Sequence, residues 1–278
     1  MLMVVFSACL QQQSPQEYDA EDDYKIKVIG NAVEIIRYEG KEQEVQIPGQ
    51  IKNMPVTVIG YEHYLLKDCY VGAFEEKQLT RVTIPDGVKT IEDWAFYNNQ
   101  LTSVTIPDSV IVIGRGAFDS NQLASVTISN RVITIGSRAF EDNQLTRVNL
   151  PDRIKTIGDG AFRKNQLTSV SIPNGVIYLG HGAFADNQLT SIVIPPGVTS
   201  IESWAFADNC LTSVVIPPSV TAIGWGAFAN NQLTSVTIGT HVTLGGDAAF
   251  DNGFDDFYRE KGKEKGTYIY ENGHWKMQ

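Results

Sequence analysis

Residues 101–122 read LTSVTIPDSVIVIGRGAFDSNQ, and the same pattern returns along the chain at a fixed step of 22 residues. Phenylalanine marks the step at Phe74, Phe96, Phe118, Phe140, Phe162, Phe184, Phe206, Phe228 and Phe250. Leucine keeps it from Leu79 through Leu101, Leu123, Leu145, Leu167, Leu189 and Leu211 to Leu233. Residues 79–254 therefore hold eight units of equal length. A period of this kind marks a solenoid, in which each unit is one coil of a stack.

Inside the unit, Leu101, Val104 and Ile106 alternate with Ser103 and Thr105, which predicts a short strand around 103–106 with one face inward. Pro107 ends it, because proline cannot donate to a ladder. Val110 and Ile113 turn back to the interior, Gly114 permits a turn, and Ala117-Phe118 fills the coil from the opposite side. Asn121 recurs as Asn99, Asn143, Asn165, Asn187, Asn209 and Asn231, and an inward asparagine can satisfy backbone groups at a sharp bend. One coil alone cannot bury its Leu, Val, Ile and Phe; stacking makes each coil the cover of its neighbour. The expected fold is a repeat solenoid with one parallel β-sheet face and hairpin-like terminal caps.

Both ends depart from the period, as an open stack requires. Residues 45–78 echo the unit through Ile47-Pro48, Ile59-Gly60 and Ala73-Phe74 and read as an irregular first coil. Before it, 24–28 and 32–38 flank Gly30-Asn31, the turn chemistry of a hairpin. After the last unit, 267–270 and 274–275 flank Asn272-Gly273, a second hairpin. The expected organisation is a tether over 1–23, an N-terminal cap and first coil over 24–78, eight repeats over 79–254 and a C-terminal cap over 255–278.

The motif AFxxNxLTSVxIPxxVxxIG resembles the BspA-like leucine-rich repeats of bacterial cell-surface and spirochaetal proteins. The resemblance implies the coil stack itself, and an exported or surface-exposed protein, several such relatives being adhesins for host matrix proteins or other bacteria. Ser129 and Gly239 depart from the motif at the proline position, and Glu92 and Glu202 at the glycine position.

Phe6-Ser7-Ala8-Cys9 resembles the lipobox of bacterial lipoproteins, with Cys9 as the residue that would receive lipid after cleavage. The polar stretch from Gln11 to Gln16 suits a flexible tether. No Lys or Arg precedes Cys9 and the apolar stretch is short for an export signal; a start upstream of Met1 would account for both, and an N-terminus apolar by chance is the alternative. Cys69 and Cys210 fall about six coils apart, roughly 29 Å at ~4.8 Å per strand, too far to pair within one molecule.

In 278 residues, 22 Lys and Arg face 32 Asp and Glu, a net charge of −10 that disfavours nucleic acid and anionic membrane as partners. A lipid anchor would be the one route to a bilayer. His63, His181, His241 and His274 fall on different coils at no ligand spacing, no glycine-rich phosphate loop precedes a helix, and no histidine reaches the strand face to activate a hydroxyl. No enzyme, cofactor or metal is expected. One carboxylate per coil, at Asp86, Asp108 and Asp152, reads as turn formation.

Function is then expected on the outward strand positions: Arg81 and Thr83, Ser103 and Thr105, Ser125 and Thr127, Arg147 and Asn149, Ser169 and Ser171, Ser191 and Val193, Ser213 and Val215, Ser235 and Thr237. This surface is small-featured and hydroxylated, with Arg81 and Arg147 in the earlier coils and Val193 and Val215 side by side in the later ones. The expected protein-binding site centres on Val193 and Val215, with Ser171, Ser191, Ser213, Thr237, Arg147, Asn149 and Arg81 around or beyond them. The bland reading is that Val and Thr interchange freely in strands. Trp94, Trp204 and Trp225 lie on another side, where packing is the first reading and binding the second. A structural spacer or self-associating surface protein is the alternative to a binding module.

Overall fold

The computed structural model describes residues 21–64, 69–246 and 248–278. About nine coils stack in parallel register over the body of the chain. The phenylalanine column runs through the interior from Phe74 to Phe250, with every ring buried. Successive centroids lie between 5.0 Å at Phe74–Phe96 and 6.0 Å at Phe184–Phe206, and no pair in the column departs from parallel by more than 16°. At that spacing the rings stack with an offset, the arrangement their quadrupoles favour.

The asparagine column closes the other side of the interior. Asn165 takes the backbone N–H of Leu145 on Oδ1 at 3.0 Å and donates from Nδ2 to the carbonyls of Phe140 at 2.8 Å and Phe162 at 3.2 Å. One side chain therefore joins two coils. Asn99, Asn121, Asn143, Asn187, Asn209 and Asn231 repeat the arrangement. These amides satisfy main-chain groups that would otherwise be buried without partners.

The predicted strands form at Arg81–Thr83, Ser103–Thr105, Ser125–Thr127, Ser213–Val215 and Ser235–Ile238. Their pairing is piecewise: Ser103–Thr105 pairs with Ser125–Thr127, and Ser213–Val215 with Ser235–Ile238. Residues 147–149, 169–171 and 191–193 form no regular strand, and single bonds such as Thr190 N–H to the Thr168 carbonyl, 3.4 Å, span these coils. A second parallel ladder, not foreseen in the sequence, lies where the chain returns inward. Its two-residue strands include Thr90–Ile91, Val112–Ile113, Thr134–Ile135, Thr156–Ile157 and Tyr178–Leu179, paired coil to coil.

Both ends carry the expected hairpins, Tyr24–Ile29 with Ala32–Tyr38 and Gly266–Glu271 with His274–Met277. Gly30 and Gly273 adopt the left-handed conformation (φ 59° and 85°) that such turns demand. At the N-terminal end Tyr38 continues the aromatic column, stacked 5.2 Å from Phe74. At the C-terminal end Phe254 meets Phe250 edge-on at 4.8 Å and 63°, and Trp275 and Tyr268 pack edge-on against Phe254. Phe254 begins a helix, Phe254–Glu260, that the sequence reading missed. The buried Asp255 carboxylate fastens it by accepting from the N–H groups of Ala249 and Phe250 at 3.1 and 3.0 Å. A short antiparallel pair, Tyr61–Tyr64 with Cys69–Gly72, accounts for the extra residues before the first regular coil.

Candidate functional site

Alternation in each unit decides which side chains the strand face offers. Leu, Val and Ile point in, so the residues between them must point out. Ser171, Ser191, Ser213, Arg147, Asn149 and Arg81 are all exposed. Val193 stands 78% exposed and Val215 63%, in neighbouring coils, while Val214 and Ile192 beside them are buried. Exposed apolar side chains are common singly; two in adjacent coils with hydroxyls around them form a small patch on a rigid support.

The other residues expected on this face lie in different settings. Thr237 is half-buried, because the C-terminal hairpin pairs with its strand and its hydroxyl lies 3.0 Å from that of Thr267. The face is thus bounded one coil beyond Val215. Arg81 lies at the far end, where its guanidinium is 3.7 Å from the Glu44 carboxylate. Asn149 borders a shallow hollow of about 540 Å³ between coils, where Ser129 replaces the usual proline; Thr105, Pro107 and Asn130 complete the rim. Ser129 is buried and accepts from the Arg131 N–H at 3.1 Å, so the loop keeps its bend without the proline ring. Cys9 lies outside the described residues.

The tryptophans take a consistent place on a different side. Trp94 and Trp204 occupy one column with Gly116, Arg138, Gly160, Gly182 and Gly226, all in the left-handed region. A Cβ at Gly116 would collide with the Trp94 indole, and one at Gly226 with that of Trp204. Each indole therefore lies across the glycine one coil further on. The Arg115 guanidinium sits 5.5 Å from the Trp94 ring centre, a cation–π distance. Trp204 and Trp225 meet edge to face at 4.3 Å and 89°, and both stay partly exposed.

Among the described residues no group of three or more His, Cys, Asp or Glu side chains gathers as a metal site. No helix there is long and apolar enough to cross a membrane.

Comparison with known proteins bears on the fold. A family model described as the BspA type leucine rich repeat region matches residues 67–187 and 133–255 in six copies. Among solved structures, a leucine-rich repeat protein from Bacteroides ovatus is 26% identical with a TM-score of 0.65, over 83% of this chain and 68% of its own. The T. pallidum leucine rich repeat protein is 22% identical, TM-score 0.44, over 69% of this chain and 78% of its own. A leucine rich cell surface protein from Faecalibacterium prausnitzii is 23% identical, TM-score 0.33, over 82% and 90%. The first likeness supports the coil stack; the other two superpose too loosely to add to it. No curated protein matches the chain.

Proposed function

Because the chain belongs to the BspA-type leucine-rich repeat family, we propose that it is an exported, lipid-anchored binding module that holds a protein partner on its strand face. The observation that carries this reading is the pair Val193 and Val215, 78% and 63% exposed on adjacent coils. A stacked solenoid has little freedom to collapse over them, so their apolar surface stays available to a partner. Apolar contact near the centre of a patch with a hydroxylated rim suits a protein interface. The serines around the valines can donate and accept, and their small size lets a partner's backbone come close.

The net charge of −10 favours a partner with basic character at the contact rim. A host matrix protein or a bacterial surface protein fits the adhesive relatives that the family resemblance implies. Cys9 would tie the module to a membrane through lipid, with the segment before residue 21 as tether.

The experiment is capture of candidate matrix proteins by the full chain and by a Val193→Glu/Val215→Glu variant. Loss of capture with an unchanged melting temperature supports the site. Undiminished capture overturns it, and concentration-dependent self-association with no ligand bound would favour the spacer reading instead. Labelling with a radioactive fatty acid, abolished by Cys9→Ser, tests the anchor separately.

A further inference from the structure

The left-handed column that carries Trp94 and Trp204 follows a simple packing rule. A side chain at this position in one coil lies over the glycine of the next: Trp94 over Gly116, and Trp204 over Gly226. Arg138 does the same, its Cγ being 3.6 Å from where a Gly160 Cβ would stand. Non-glycine residues in this backbone region are strained, so glycine is the default. Gly160 and Gly182, however, follow one another. Gly160 has no side chain to lay across Gly182, and a Cβ there would touch nothing nearer than Ala185 at 3.8 Å.

The result is an open cleft of about 480 Å³, within the range of small-molecule sites. Gly160, Gly182, Ala185 and Ala207 line it with small residues, Trp204 contributes an aromatic wall, and Arg138 lies toward the opposite side. No strand-face residue takes part, so this site is separate from the one around Val193 and Val215.

The rim chemistry narrows the ligand. Arg163 Nε lies 2.8 Å from Asp186, and Glu141 lies 3.4 Å from Arg138 and 3.9 Å from Arg163. His181 Nε2 lies 3.4 Å from Glu202, and Asp159 accepts from the Tyr178 hydroxyl at 3.0 Å and the His181 N–H at 2.9 Å. Asp208 also lies in the lining and accepts from Asn230 Nδ2 at 2.9 Å, so four carboxylates face two guanidiniums. The excess acid repels an anion, and a cation would have to displace a partner that each carboxylate already holds. A neutral ligand rich in hydroxyls meets no such obstacle: it donates to the free carboxylate lone pairs and accepts from remaining guanidinium N–H groups. An indole beside small residues offers a flat apolar surface for the C–H face of a sugar ring.

We propose that the cleft at Gly160 and Gly182 binds a neutral carbohydrate, a short run of hexose units. The shape, the aromatic wall and a rim that holds both carboxylate acceptors and guanidinium donors all serve such a ligand, and none of them serves the strand-face partner.

The column itself supplies the test. Gly160→Trp should place an indole over Gly182 as Trp94 is placed over Gly116, filling the cleft in a backbone already shown to accept tryptophan. The full chain is screened on an array of neutral gluco-, manno-, galacto- and N-acetylglucosamine oligomers, and the best tetrasaccharide is titrated by calorimetry. Gly160→Trp should weaken binding at least tenfold, and Val193→Glu/Val215→Glu should leave it unchanged. If Gly160→Trp fails to fold, Trp204→Leu takes its place, with the same expected loss. Binding that survives either folded variant overturns the proposal, as does the absence of any neutral oligosaccharide bound at millimolar concentration. Neither result touches the strand-face reading.

Discussion

Along the interior column the phenylalanine rings keep 5.0–6.0 Å spacing from Phe74 to Phe250, whereas the strand face of the same coils pairs at 103–105 with 125–127 and at 213–215 with 235–237 and forms no regular strand at 147–149, 169–171 and 191–193. Both regions come from one 22-residue unit. They differ in what fixes them. The interior is dense, so each ring and each amide has one geometry that fills the space and satisfies its neighbours. The strand face borders water, so its outward side chains vary without penalty and its ladder closes only where adjacent coils allow. The stack is held from within, and its outer face is left free to differ.

Removing a rung should break the regular region most. Phe162→Ala deletes a fully buried ring between two stacked neighbours and should cost about 3–5 kcal/mol, read by chemical denaturation. A cost below that of an exposed substitution would show that the column does not carry the stack. Asn165→Ala should follow at roughly 2–4 kcal/mol, since it strands the Leu145 N–H and the Phe140 carbonyl in the interior, while the Phe162 carbonyl keeps its bond from Asn187 Nδ2 at 2.9 Å.

Asp119 lies between the two regimes. It is buried beside Phe118, and desolvation pushes its carboxyl up to about 6, with the nearby Glu141 adding to the rise and the Ser120 hydroxyl opposing it. Its folded pKa exceeds the unfolded value of 3.8, so the favourable contribution is present below about pH 4 and lost as pH rises through 6. Asp119→Asn should therefore gain about 1–3 kcal/mol above pH 6 and converge with the parent near pH 4 in paired thermal melts. A pH-independent difference would mean that the carboxyl is not strained by its site.

The smallest effect belongs to the strand face. Val193→Glu with Val215→Glu should change stability by less than about 0.5 kcal/mol, because both side chains already stand in water. A loss comparable to that of Asn165→Ala would erase the distinction between the two regions.

The sequence disclosed the parts that the period enforces. Phe118 and Asn121 announce their roles because nine and seven copies at one spacing leave no other use for them. Strand alternation at Ser103-Val104-Thr105 was equally plain. The second ladder was not, since a pair such as Val112-Ile113 is too short for a period-2 signal and becomes a strand only when coils stack in register. The helix Phe254–Glu260 escaped because seven residues hold barely two turns; buried Phe254, Tyr258 and Asp255 stabilise it from outside its own span. The exposed valines of the strand face were legible from alternation alone. The cleft at Gly160 and Gly182 was hidden because glycines in a turn read as conformational permission, whereas here the missing side chain also leaves space on the following coil.

The asparagine bridge has an evolutionary corollary. Each amide links its own coil only to the one before it, through the same three or four atoms every time. A segment such as 145–166 could be duplicated or excised whole, and the new junction would meet contacts identical to those it replaced. Adding or removing such a segment changes the length of the stack by whole rungs of about 4.8 Å, while the two ends and the chemistry of each junction stay the same.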